Sequence, residues 1–229
     1  MRQHVNPLSS FFQKPLNLPE VNQLFEDGRL PIHLDIGCAR GQFLLDLASS
    51  DPTWNYLGVD IRMPLIVSAK KEKEKLEIRN LNYLYCNANV SLENWLSKLS
   101  NGQLRRVTIQ FPDPWFKRRH QKRRVLQPSL LIPLANALNK DSQLFIQSDV
   151  FEVINQMVNL IDASKCFVRD KKKSNNFLEL NPFSLPSERE IYVLKNNMPV
   201  YRVLYFRNSE KISDINKLEN DYNNLIKSL

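Results

Sequence analysis

Short apolar runs that alternate with segments of helical periodicity constrain this chain more than any other feature. Residues 32–36, 56–59, 81–86, 107–111 and 143–147 read as buried strands. After the first, Phe43, Leu44, Leu47 and Ala48 recur at helical spacing, and after the second a Lys/Glu-rich helix is expected from Pro64 to about Arg79. Further helices are expected near residues 92–99, 128–138 and 150–163. Strands that return through helices form a parallel sheet covered on both faces. The expected fold is α/β, a three-layer sandwich around a mixed, mostly parallel sheet, closed by a last strand at 201–206. Residues 1–30, with Pro7, Pro15, Pro19 and Gly28, read as an arm before the main domain at 31–209. The tail, 210–229, spaces Ile212, Ile215, Leu218, Tyr222, Leu225 and Leu229 as an amphipathic helix.

With 229 residues, 42% hydrophobic and 24% charged, the chain can bury one ordinary core. No apolar run reaches the roughly 18 residues that cross a bilayer, and the amino terminus lacks the order of a secretory signal. A cytoplasmic protein without membrane contact is expected. Cys38, Cys86 and Cys166 are far apart and form no CxxC pair, and His4, His33 and His120 are scattered, so no metal site is expected. A monomer and a homodimer are equally compatible with the sequence. The formal charge of +8 favours polyanions, since neutralised phosphates release counterions.

In open α/β sheets ligands bind beyond the carboxyl ends of the strands. The first such end is Gly37-Cys38-Ala39-Arg40-Gly41, whose glycines permit a sharp turn and close approach of backbone N–H groups to a ligand. Asp60 ends the second strand 25 residues after Asp35, where a carboxylate can accept from both hydroxyls of a ribose. The loop is not GxGxxG, the pattern that serves a pyrophosphate. A nucleoside without phosphates suits it better, and Asp35 beside the loop suits a cationic ligand. The plainer alternative is a glycine turn, with Asp60 capping the next helix.

After the fourth strand comes Phe111-Pro112-Asp113-Pro114-Trp115-Phe116, then Lys117-Arg118-Arg119-His120-Gln121-Lys122-Arg123-Arg124. Prolines on both sides of Asp113 fix the backbone around its carboxylate. Six of the eight residues that follow Phe116 are Lys or Arg, with Arg123 and Arg124 candidates for phosphate contacts. Lys171, Lys172 and Lys173, in an expected exposed loop, are a second candidate.

The run FPDPWFKRRHQKRR resembles the signature of the TrmB-type tRNA (guanine-N7-)-methyltransferases, FPDPW-x-K-x-RH-x-KRR. LDIGCARG resembles that family's cofactor loop, LGVDIR its second motif, and Pro186-Ser187-Glu188-Arg189-Glu190 its P-x-T-x-[FY]-E element. The resemblance implies a class I (Rossmann-like) methyltransferase fold with S-adenosyl-L-methionine as cofactor. It also implies tRNA as partner, with a variable-loop guanosine methylated at N7. Carried over by position, Asp35, Gly37, Asp60, Asn87 and Asp113 would line the cofactor side. Lys117, Asp149, Ser187, Glu188, Arg189 and Glu190 would meet the guanine, and Asp113 would be the catalytic carboxylate. Asn87, Ser187 and Arg189 depart from the family's Asp, Thr and aromatic residue, and Ala39 from its glycine.

Two other readings remain open on the residues alone. Pro112-Asp113-Pro114-Trp115 is also similar to the [DN]PP[FYW] motif of amino-methyltransferases acting on adenine or cytosine, though only one proline follows the acid. A non-catalytic basic RNA-binding module would carry the same charge run.

Overall fold

A computed structural model of the protein describes residues 5–170, 177–183 and 185–227. Strands β1 (Ile32–Ile36), β2 (Asn55–Asp60), β3 (Leu81–Tyr85), β4 (Leu104–Gln110) and β5 (Leu138–Ser148) lie parallel. β6 (Phe167–Arg169) and β7 (Tyr201–Arg207) complete a seven-stranded sheet in the order β3-β2-β1-β4-β5-β7-β6. β7 runs antiparallel to both of its neighbours, so the sheet is mixed and mostly parallel, as expected. The order reverses beside β1, which places the switch point at the loop after Ile36.

The period of two along each strand divides the core. Ile32, Leu34, Ile36, Leu57 and Val59 face one way, under α4 (Ala88–Leu96), α5 (Pro128–Ala137), α6 (Phe151–Ser164) and α8 (Ile215–Lys227). Tyr56, Leu81 and Tyr83 face the other way, under α2 (Gln42–Ser50) and α3 (Met63–Lys75). The amino-terminal segment, with α1 (Val21–Leu24), packs on the first of these clusters through Phe25, and the tail does so through Leu218.

Several boundaries differ from the sequence expectation, each for a local reason. α4 begins at Ala88 because the Asn87 side chain accepts from Asn89 N–H and caps it, before the apolar periodicity starts. β5 starts at Leu138, directly after α5, and is broken by Asp141 at φ 66° where its register with β4 shifts. β6 has three residues, of which only Phe167 is buried, so it carries no alternation. α7 (Glu188–Lys195) buries only Glu190 and Val193, too few apolar residues for a periodic signal. Trp95 is a packing residue, 3% exposed, and Trp54 packs partly buried on the second cluster with the Arg106 guanidinium 4.4 Å from its ring centre. The Lys171 to Lys173 run lies outside the described residues.

Candidate nucleoside and base cleft

A cleft of about 1070 Å³ opens at the carboxyl ends of β1, β2, β3 and β4. Asp35, Gly37, Asp60, Asn87, Asp113, Ser187, Glu188 and Arg189 all line it. The sequence thus scatters over 150 residues what the sheet brings to one place. Gly37 has φ +84°, and a Cβ built on it would meet nothing within 4 Å, so it opens toward the cleft. Gly41, at φ +76°, is a packing glycine: its Cβ would strike the Tyr83 ring. Ala39 adopts φ 52° without being glycine, and its N–H donates to Asp60 at 3.0 Å.

Asp60 is held from three sides. Its Oδ1 accepts from Arg62 N–H (2.8 Å) and Nε (2.9 Å), and its Oδ2 from Arg62 Nη2 (2.9 Å) and Ala39 N–H. Sequence reasoning missed Arg62, which lines the cleft and also feels the charge of Asp113. A ribose reaching Asp60 would share its oxygens with this guanidinium.

Asp35 belongs to a buried polar chain across the sheet. Thr108 Oγ1 donates to Asp35 Oδ1 (2.5 Å), so His33 Nε2, 3.1 Å from Thr108 Oγ1, must carry the proton and donate in turn. Burial keeps His33 neutral, consistent with that tautomer and with Nδ1 lacking a partner. Burial also pushes Asp35 up to about 6, against the lowering effect of its bonds from Thr108 and Gln110. Gln147 Nε2 then donates to Gln110 Oε1 (2.6 Å) and to Glu190 Oε2 (3.1 Å) on α7.

Not every expected residue meets the cleft. Glu190 is 1% exposed behind it, taking the Arg202 fork at 2.9 and 2.7 Å and Asn181 Nδ2 at 2.7 Å. Asp149 does not line the cleft and is paired with Arg189, which does and which also lies 4.9 Å from the Tyr192 ring centre. Lys117 is exposed outside the lining. Ser187 caps α7 by accepting from Glu190 N–H. Ser187 and Glu190 stand at the two ends of an S-x-x-E pattern, a helix-start signal that would have found α7 in the sequence.

Asp113 lines the cleft between Pro112 and Pro114, just after Phe111, whose φ of 46° turns the chain out of β4. Residues Arg118–Arg123 form a 3-10 turn against Trp115. Arg123 lies 5.0 Å from the Trp115 ring centre and lines the cleft, while half-buried Arg124 donates to the Trp115 carbonyl at 3.2 Å. Arg124 therefore braces the loop, and Arg119 and Lys122 are exposed cations on the turn. Cys38, Cys86 and Cys166 are buried free thiols, and burial pushes Cys86 up to about 12. Among the described residues no group of His, Cys, Asp and Glu could hold a metal ion, and no helix is long and apolar enough to cross a membrane.

Comparison with known proteins adds four findings. Residues 29–203 match the family described as "Putative methyltransferase". The chain is 57% identical over 219 residues to a tRNA (guanine-N(7)-)-methyltransferase of Prochlorococcus marinus strain MIT 9313, covering 96% of this chain and 93% of that one. It is 53% identical over 225 residues to the enzyme of the same description from Parasynechococcus marenigrum strain WH8102, covering 98% and 95%. Among solved structures, the 16S rRNA methyltransferase KamB superposes with a TM-score of 0.55 at 16% identity, covering 82% of this chain and 92% of that one. That last likeness concerns the fold.

Proposed function

The chain belongs to the tRNA (guanine-N(7)-)-methyltransferases, and from that premise we propose that its cleft transfers a methyl group from S-adenosyl-L-methionine to N7 of a variable-loop guanosine in tRNA. The observation that carries this reading is Asp113, fixed between two prolines on the same cleft as Asp35 and Asp60, with a basic turn directly behind it. The residues fit the cofactor. An open glycine at Gly37 and two carboxylates suit a cationic nucleoside with an amino-acid tail, and no pyrophosphate loop is present.

When bound, S-adenosyl-L-methionine supplies an electrophilic methyl group on a cationic sulfur. Guanine N7 offers a lone pair and carries no proton, so the chain needs no general base. Its work is alignment and charge. Asp113 accepts from guanine N1–H or the amino group and offsets the positive charge that appears on the ring. Asp60 takes the ribose, Gly37 and Asp35 the amino-acid end, and Arg189 with Ser187 and Glu188 the far side of the base. Arg119 and Lys122 meet tRNA phosphates. We place the enzyme in the cytoplasm, as a monomer or homodimer, and the chemistry asks for no metal ion.

Transfer of tritium from labelled cofactor to bulk tRNA, followed by nucleoside identification, tests the reading. N7-methylguanosine is the expected product, and Asp113→Asn should lower turnover roughly 100- to 1000-fold, as loss of other preorganised groups does. Methylated adenine or cytosine would replace this reading with the amino-methyltransferase one. RNA binding without transfer would leave a binding module.

A further inference from the structure

The arm does not hang free of the domain. Asn87, Ser91, Trp95 and Lys98, spaced four, four and three apart, present one face of α4 and its carboxyl end. Each holds the arm. Asn87 Nδ2 donates to the carbonyls of Pro7 (3.2 Å) and Phe12 (3.1 Å), and Ser91 Oγ accepts from Leu16 N–H (3.1 Å). Trp95 Nε1 donates to the Pro19 carbonyl (2.9 Å), and Lys98 Nζ lies 3.8 Å from Glu20. Asn87 uses both amide hydrogens on the arm while its oxygen caps α4. A carboxylate there could cap the helix but could not donate to either carbonyl.

This rail lays Phe11 and Phe12 along the cleft, where both line it. Their rings meet edge to face at 5.0 Å, and Phe11 is 70% exposed. The cleft is acidic at Asp35, Asp60 and Asp113, and apolar at Ile61, Met63 and Ala88, which line it together with Phe11 and Phe12 of the arm. From Asp60 at the end of β2 the cleft runs on to Tyr85 and Asn87 at the end of β3, its neighbour in the sheet, which offers the base of a ribose held on Asp60 a place beside the arm. We propose that the arm, pinned by α4, forms the outer wall of the adenine end of the cofactor cleft, with Phe11 and Phe12 against the base. This rests on the cofactor reading above.

Titration calorimetry with S-adenosylhomocysteine, together with amide hydrogen exchange over residues 8–16, tests the wall. Wild type should bind, and the ligand should slow exchange at Phe12 and Leu16. Phe11→Ala, at an exposed side chain, should weaken binding roughly five- to thirtyfold, the lower part of what base stacking on an aromatic ring is worth. Phe11→Tyr should restore it. Asn87→Asp keeps the cap and removes both donors, so residues 8–16 should exchange faster even without ligand. Wild-type affinity in Phe11→Ala, or arm exchange indifferent to ligand, would overturn the wall while leaving the cofactor reading in place. A wild-type protein that does not bind S-adenosylhomocysteine would overturn both.

Discussion

Asp35 shows how a single buried carboxylate ties stability to pH. Its folded pKa, about 6, lies above the ordinary unfolded value near 3.9. The folded chain keeps a proton that the unfolded chain releases, so the contribution is fully present below about pH 4 and is lost as pH rises through 6. The loss is on the order of 3 kcal/mol. Urea unfolding of wild type and Asp35→Asn at pH 4.5 and 7.5 should show the gap between them shift by roughly 2 kcal/mol, the part of the loss that falls between these pH values, the wild type falling relative to the variant as pH rises. A cationic ligand would repay part of the loss, since it favours the ionised carboxylate. Affinity for S-adenosyl-L-methionine should therefore strengthen across pH 5 to 7 in wild type and stay level in Asp35→Asn.

At the scale of elements, α7 and the basic turn behave differently although both flank the cleft. α7 is anchored by the buried pair Glu190 and Arg202, 1% and 5% exposed. Glu190→Gln would leave Arg202 buried without its charge partner, at a cost of roughly 3–5 kcal/mol in urea unfolding. The turn is held by Trp115 and Arg124 but exposes Arg119 and Lys122. Replacing both by Ala should reduce the slope of log affinity for tRNA against log salt by roughly 0.7–0.9 per lost contact, with cofactor affinity unchanged. These two elements also mark what the sequence could disclose. The FPDPW run and the loop at Gly37 were legible because their glycines and prolines sit where the backbone demands them. Gln110 and Gln147 were not, because each acts through a neighbour that only the folded sheet supplies, whereas Arg62 holds Asp60 from two residues away and carries no motif of its own. Glu190 was legible as important but not as buried, since its partner Arg202 lies on a strand twelve residues away.

For the molecule as a whole, arm and tail share one core. Phe25 from the amino-terminal side and Leu218 from α8 join the same apolar cluster as the faces of α4, α5 and α6. Leu218 is fully buried, so Leu218→Ala should cost roughly 2–5 kcal/mol in urea unfolding and lower the midpoint of the whole domain as one transition. The inserted position of β7 bears on the order in which the chain is made. Among the described residues β6 bonds in the sheet only to β7, and β5 gains its second neighbour only when β7 arrives. Some sixty residues separate Ser148 from Arg207. At about 5–20 residues per second on the ribosome, β5 therefore waits roughly 3–12 s with one edge bare. A nascent chain stalled before Tyr201 presents that edge to any other strand within reach, which makes the last-synthesised strand the one that protects the sheet from aggregation.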